Sequence, residues 1–99
     1  MKNRDRAEIN AMILDIATHG RVTKTKIMYR AYLSYNKLGE YLTDLGESEL
    51  LEYEVGAQTY RTTEKGKRYL EIHNRMNELI SINRETVYWI WLVLREIIQ

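Results

Sequence analysis

The chain has 99 residues, a formal net charge of +1, no cysteine and no proline. This length suits one domain with a modest core, and the lack of cysteine excludes disulfides and thiolate zinc sites. The N-terminus is charged where a signal peptide needs an apolar segment. The longest apolar run, residues 87–94, is far shorter than the roughly 20 residues of a membrane helix. We therefore expect a cytoplasmic protein with no membrane contact.

The small net charge hides an uneven distribution. Residues 1–30 carry seven bases and three acids, whereas residues 31–66 carry three bases and seven acids. Any surface that binds phosphate should therefore draw mainly on the first third of the chain.

Apolar spacing predicts a first helix over residues 4–19. Its predicted buried stripe is Ile9, Met12, Ile13, Ile16 and Ala17. Gly20 tolerates the left-handed conformation found after many helices and should end it. Residues 21–23 could then form a small strand.

Residues 24–45 have the pattern of two short helices joined by a tight corner. Ile27, Met28 and Ala31 lie at helical spacing in the first, which either Thr23 or Thr25 caps. The second, from Tyr35 to Leu45, buries Leu38, Leu42 and Leu45, with Ser34 as its cap and Gly46 as its stop signal. This is the outline of a helix-turn-helix.

The second helix of the pair should turn its polar side outward. By elimination that side holds Asn36, Lys37, Glu40, Thr43 and either Tyr41 or Tyr35. In a helix-turn-helix this is the side that faces the major groove.

A change of period follows this helix. Leu51, Tyr53 and Val55 alternate with glutamates, which is typical of a half-buried strand. Residues 56–58 supply a turn and residues 59–62 a return strand. Helix-turn-helix followed by a hairpin is the order of a winged helix, a mainly α fold with a small β-hairpin.

The last third of the chain predicts one long helix from Glu64 to near Ile98, capped by Thr63. At 1.5 Å per residue it would span about 50 Å, too long for one small domain to cover. Apolar positions in steps of three and four predict a coiled-coil seam and a homodimer. The seam is His73, Met76, Ile80, Asn83, Val87, Ile90, Leu94 and Ile97. The alternative is a helix break at residues 81–83.

Three short elements resemble the archaeal Sso ten-a family of winged-helix DNA-binding proteins. They are Ile27-Met28-Tyr29, Leu33-Ser34-Tyr35 and Thr63 to Gly66. The resemblance covers roughly residues 8–75 and implies a winged helix-turn-helix domain at residues 1–66. It also implies that residues 67–99 form a dimerisation helix that pairs as an antiparallel coiled coil. The implied function is a dimeric, nucleoid-associated or regulatory binder of double-stranded DNA.

Candidate DNA-binding residues follow from the predicted fold. Lys24, Lys26 and Arg30 suit phosphate contacts, and Asn36 and Lys37 suit adenine and guanine edges in the major groove. The full set is Lys24, Lys26, Arg30, Ser34, Tyr35, Asn36, Lys37, Gln58 and Arg61. The seam residues expected at the dimer interface are Met76, Ile80, Asn83, Val87, Ile90 and Leu94.

Each of these residues also has a purely structural interpretation. Lysines and arginines can belong to a solvated helix face, and Arg61 could pair across the hairpin with Glu52 or Glu54. Glu40 and Asp44 place negative charge on the predicted recognition helix, which disfavours indiscriminate phosphate binding. The alternative function is a winged-helix module that binds another protein and no DNA.

No enzyme is predicted. His19 and His73 have no partners at ligand spacing, and neither a Ser/His/Asp arrangement nor a glycine-rich phosphate loop occurs. The sequence predicts no metal, no cofactor and no small-molecule ligand.

Overall fold

The computed structural model describes the backbone of residues 4–98 and the side chains of residues 4–79 and 89–97. Its elements are α1 (Arg6–Thr18), α2 (Lys24–Ala31), α3 (Tyr35–Glu47), β1 (Leu51–Glu54), β2 (Thr59–Thr62) and α4 (Glu64–Ile98). The predicted order of helix-turn-helix, hairpin and long helix is confirmed.

Every helix begins at a side chain that accepts a hydrogen bond from its first turn. The accepting residues are Asp5, Thr23, Ser34 and Thr63. These bonds satisfy backbone N–H groups that have no partner inside the helix. The predicted caps Ser34 and Thr63 are confirmed, and Thr23 rather than Thr25 caps α2.

The core forms around α1. The largest fully buried side chains of the core are Ile13, Leu14, Ile27, Leu38 and Leu45. The predicted α1 stripe was partly wrong, since Met12 and Ile16 are only half-buried and Leu14 is fully buried. The reason is that α1 contacts α2, β2 and α4 together, which covers a wider face than one stripe.

The hairpin pairs β1 with β2 in antiparallel register, from Leu51 opposite Thr62 to Glu54 opposite Thr59. Val22 adds an isolated bridge to Tyr60, with N···O distances of 3.1 and 2.7 Å. This bridge is what remains of the predicted small strand.

The predicted half-buried face of β1 is correct only at its start. Leu51 is buried, but Tyr53 and Val55 are exposed. Val55 lies at the hairpin turn and is 79% exposed, so this end of the hairpin contributes little to the core. The segment we define as the wing is the hairpin, residues 51–62.

The first turns of α4 belong to the core. Thr62 Oγ1 donates a buried hydrogen bond of 2.6 Å to the Leu14 carbonyl. A Cβ at Gly66 would overlap the Leu50 carbonyl oxygen, so the chain approaches this glycine too closely for any side chain. Leu70 is buried and Tyr69 packs against the same cluster.

Beyond Leu70 the helix leaves the core. It continues without a break through Asn83, which confirms the predicted continuous helix. Its length gives the described chain extents of 68 × 30 × 20 Å. Within the described residues, no helix is long and apolar enough to cross a membrane.

Candidate nucleic-acid interface

The corner between α2 and α3 is only three residues long. Tyr32 takes the left-handed conformation, with φ 55° and ψ 48°, and its N–H donates to the Met28 carbonyl. The Leu33 N–H donates to the same carbonyl at 3.2 Å. These bonds end α2 and allow Ser34 to begin α3 immediately.

Arg4 clamps this corner from the N-terminal side. Its guanidinium donates to the Ala31 carbonyl at 2.6 Å and to the Tyr32 carbonyl at 3.0 Å. These are carbonyls at the C-terminal end of α2, where a cation is also favoured by the helix dipole. Sequence reasoning missed this role, because the contact joins residues 27 or more positions apart.

The corner and its two flanking helix segments contain no acid. Residues 20–39 hold five bases, Arg21, Lys24, Lys26, Arg30 and Lys37, and no aspartate or glutamate. We call this stretch the basic segment. Lys26, Arg30 and Lys37 are exposed, so their charges reach solvent.

Lys24 differs from its neighbours because it is half-buried. Its ammonium lies 3.8 Å from the centroid of the Tyr35 ring, the geometry of a cation–π contact. The contact ties the start of α2 to the start of α3. Lys24 is therefore placed by the fold, whereas Lys26 and Arg30 extend freely from the helix surface.

The outward face of α3 begins with the residues expected there. Ser34, Tyr35, Asn36, Lys37 and Glu40 are all exposed. Of the two tyrosine alternatives, Tyr41 is buried and only Tyr35 faces outward. The first turn and a half of α3 therefore presents hydroxyl, amide and ammonium groups together.

The rest of this face is acidic. Glu40, Asp44 and Glu47 follow one another at helical spacing and are exposed. Lys37 pairs with Glu40 at 3.7 Å. Arg6 pairs with Asp44 and lies 5.0 Å from the Tyr41 ring centroid. Arg6 is a second N-terminal arginine whose role the sequence did not reveal.

The wing carries its own ion pairs. Arg61 lies 3.2 Å from Glu52 and 3.8 Å from Glu54, which is the cross-hairpin pairing considered as an alternative. Arg21 approaches Glu54 at 2.9 Å. Gln58 is exposed at the tip with φ 52°. The wing therefore presents an amide at its tip and paired charges along its strands.

A groove of about 1120 Å³ lies between α3 and the wing. Tyr53 and Tyr60 line one side, with ring centroids 4.8 Å apart. Burial raises the pKa of the Tyr60 phenol, and negative charge on Tyr53 or Tyr35 would raise it further. The phenols of these three tyrosines are therefore close enough to influence one another.

The side chains described here bring together most of the predicted site. Seven of its nine residues lie within Lys24 to Lys37, on α2, the corner and the first turn of α3. Gln58 and Arg61 lie on the separate wing. Within residues 4–79 and 89–97, no three metal-ligating side chains come together.

Comparisons with known proteins agree with this architecture. A family model described as winged helix-turn-helix matches residues 3–81. The crystal structure of Sso10a-2, a DNA-binding protein from Sulfolobus solfataricus, is similar with a TM-score of 0.65 and 26% identity. That likeness covers 97% of this chain and 98% of the other, and it confirms the resemblance to the Sso ten-a family.

Two further structures share the fold. Wild-type ZitR from Lactococcus lactis has a TM-score of 0.62 and 21% identity, covering all of this chain and 81% of its own. ZitR in complex with DNA has a TM-score of 0.55 and 17% identity, covering all of this chain and 79% of its own. No curated protein sequence matches the chain.

Proposed function

Because this chain belongs to the winged helix-turn-helix family, we propose that it is a DNA-binding regulator or chromatin-associated protein. It would read double-stranded DNA with residues 35–45 in the major groove and residues 56–58 of the wing beside it. The similar Sso10a-2 is described as DNA-binding and ZitR has been solved with DNA. Both descriptions support the proposal by analogy.

The observation on which the proposal rests is the basic segment. Its exposed cations Lys26, Arg30 and Lys37 lie on the helix-turn-helix itself, and no acid occurs between residues 20 and 39. Duplex DNA carries one negative charge per roughly 1.7 Å of its axis, so a cationic surface at this place favours its approach.

The proposed contacts divide into two kinds. Lys24, Lys26 and Arg30 neutralise phosphates, with Ser34 and Tyr35 as further hydrogen-bonding groups at the start of α3. Asn36 and Lys37 are placed to read base edges. At the wing, Gln58 lies at the tip, and Arg61 would have to share its guanidinium with Glu52.

The acidic part of α3 limits what this surface binds. Glu40, Asp44 and Glu47 would repel phosphates that come close along the remainder of the helix. Favourable contacts between the first turns of α3 and the base edges must offset that repulsion, and only some DNA sequences offer such contacts. The proposed binding is therefore selective rather than a general adhesion to DNA.

The test replaces two lysines of the basic segment by alanine. Lys24→Ala with Lys26→Ala should weaken duplex binding similarly for all sequences and reduce the slope of log K against log salt by about 2. The matched control is Lys67→Ala with Arg68→Ala, two exposed bases on α4. Unchanged affinity in the first variant, measured by fluorescence anisotropy across a salt series, would contradict the proposal.

The second part of the proposal is a homodimer formed by α4. Met76, Ile90 and Leu94 are exposed apolar side chains on this helix. Ile80, Asn83 and Val87 lie outside the described side chains. Residues 67–99 would form the pairing unit, and a chain truncated after Ser81 should sediment as a monomer. A truncated chain that remains dimeric would reject the seam.

The proposed location is the cytoplasm, at the nucleoid, which follows from DNA as the partner. A second candidate function is a winged-helix module that binds another protein. The specific observation for it is the apolar end of α4, where Trp89 and Trp91 are both more than half exposed. Absence of any mobility shift with duplex DNA at low salt would favour this alternative.

A further inference from the structure

Three tyrosine rings project from the basic segment. Tyr29 lies in the last turns of α2, Tyr32 at the corner and Tyr35 at the start of α3. Their exposed fractions are 71%, 74% and 62%. Large aromatic side chains normally contribute to a fold by being buried, so three exposed rings in succession contribute little to this core.

Tyr32 stands in a conformation that is unfavourable for its side chain. Its φ of 55° lies in the left-handed region, where glycine and asparagine are preferred and a bulky residue is strained. The strain is maintained by the hydrogen bonds to Met28 and from Arg4. Because the ring is exposed, packing does not offset this cost, and strained residues of this kind concentrate at functional sites.

The Tyr35 ring contacts a cation on one side and is exposed on the other. The Lys24 ammonium lies against its ring at 3.8 Å, while 62% of the residue remains accessible. One face of the ring is thus occupied by a cation and the remainder is open. A base that stacks on the open part of the Tyr35 ring would place its phosphate near the Lys24 ammonium, which could neutralise it.

Duplex recognition does not use the faces of these rings. In a stacked duplex the faces of the bases are covered, and sequence is read by hydrogen bonds at base edges. A tyrosine ring has an exposed π-face but can reach a base face only where the base is unpaired. Aromatic rings interleaved with cations are the composition of surfaces that bind single strands.

We propose that the basic segment is also a binding site for unpaired nucleotides, with Tyr29, Tyr32 and Tyr35 as stacking groups. Lys26 and Arg30, which lie three residues before and one residue after Tyr29 on α2, hold the phosphate backbone. This goes beyond the proposed reading of duplex DNA, because it needs neither a major groove nor the wing. The ligand is single-stranded nucleic acid, either DNA or RNA, since both present the same base faces.

The first experiment uses the full-length chain and a labelled oligothymidylate of about 12 nucleotides at low salt. The double variant Tyr29→Ala with Tyr32→Asn should bind it about 100-fold more weakly, taking roughly tenfold for each lost stacking ring. Asparagine suits the left-handed position, so this substitution relieves the strain at residue 32. Circular dichroism should therefore show a folded protein whose Tm is not lowered by the change at that position.

The matched control is Tyr29→Phe with Tyr32→Phe. It keeps both rings and removes both hydroxyls, so oligothymidylate affinity should stay within about twofold of the wild type if stacking is the cause. An equal loss in the phenylalanine and the Ala/Asn variants would show that the hydroxyls bind phosphate, and it would overturn the stacking site. So would wild-type protein that binds neither oligothymidylate nor oligouridylate.

The same titrations distinguish this proposal from the duplex-binding proposal. Binding to oligothymidylate without binding to duplex would support the single-strand site and reject the duplex function. Tight binding to oligouridylate as well would identify RNA as a source of the ligand and supports the same site. Loss of oligothymidylate binding in the Ala/Asn variant with duplex affinity retained is the expected result.

Discussion

Two adjacent stretches of the chain, similar in length, differ completely in charge. The basic segment, residues 20–39, has five bases and no acid, whereas residues 40–54 have six acids and no base. The boundary falls inside α3, between Gly39 and Glu40. A single helix therefore presents an attractive end and a repulsive end to any polyanion.

The difference concerns the surface alone. The basic segment supplies Ile27, Ala31 and Leu38 to the core, and the acidic stretch supplies Leu42 and Leu45. All five belong to one buried cluster. The charged residues of the helix-turn-helix lie at exposed positions and the residues that determine the fold at buried ones, so the charge of the surface can change without changing the core.

The largest effect should come from substitutions in that shared core. Ile27→Ala and Leu45→Ala, one from each stretch, should each lower the free energy of unfolding by about 2–5 kcal/mol. Both side chains are almost wholly buried. Urea denaturation measures the loss, and the exposed Val55→Ala should change stability by less than about 0.5 kcal/mol. A small loss at either core position would mean that the two stretches do not share one core.

The next largest effect on stability concerns the close contact between Leu50 of the acidic stretch and Gly66 of α4. Gly66→Ala should cost about 1–3 kcal/mol, because the new methyl group meets the Leu50 carbonyl and forces the backbones apart. Gly46→Ala is the control: it has open space around it and lies in α3, so alanine should add roughly 0.5–1 kcal/mol. Thermal unfolding monitored by circular dichroism would show Tm changes of opposite sign.

A smaller effect is expected from the acids themselves. Glu40→Gln with Glu47→Gln removes two exposed carboxylates from α3 and should tighten duplex binding by about three- to tenfold. The ratio of affinities between DNA sequences should stay unchanged, since the gain does not depend on bases. Unaltered affinity in an anisotropy titration would show that α3 does not face the DNA along this part of its length.

The smallest effect is a pH dependence at Tyr60, a wing residue that bridges Val22 of the basic segment and contacts Tyr53 of the acidic stretch. Burial, with Tyr53 and Tyr35 nearby, raises the pKa of Tyr60 above the ordinary value of 10.0. The folded state thus binds the phenolic proton more tightly than the unfolded chain. Its stabilisation is complete below the unfolded pKa and is lost as pH rises through the folded pKa.

The matched variant for this effect is Tyr60→Phe. Wild-type protein should lose more unfolding free energy than the variant as the pH is raised through the titration range of tyrosine. Urea denaturation at pH 8 and at strongly alkaline pH compares the two chains. Equal losses would show that Tyr60 is not perturbed by its neighbours.

Sequence patterns were sufficient for the order of the elements because local signals agreed with one another. The predicted stop signal Gly46 was wrong, since α3 continues through it to Glu47 and ends at the cap Ser48. Ser34 and Thr63 each precede a run of apolar residues at helical spacing, and α3 and α4 begin directly after them. The wing strands and the unbroken α4 follow from changes of period and from the lack of proline. Such agreement between levels is what makes a fold predictable.

Burial and side-chain contacts were less predictable. Tyr41 is buried although its hydroxyl made an outward position equally plausible, and Val55 is exposed because a two-stranded wing has no second layer. The contacts of Arg4 with the corner and of Arg6 with Asp44 join distant parts of the chain. No spacing rule within one helix predicts such pairs.

The first turns of α4 pack against α1 and β2, and the same helix continues to residue 98 without a break. The winged-helix domain and the far end of α4 are therefore joined by one continuous helix. Each residue inserted into that helix would advance the far end by 1.5 Å and rotate it by about 100° relative to the domain. The orientation of whatever the far end binds is thus fixed by the number of residues in α4.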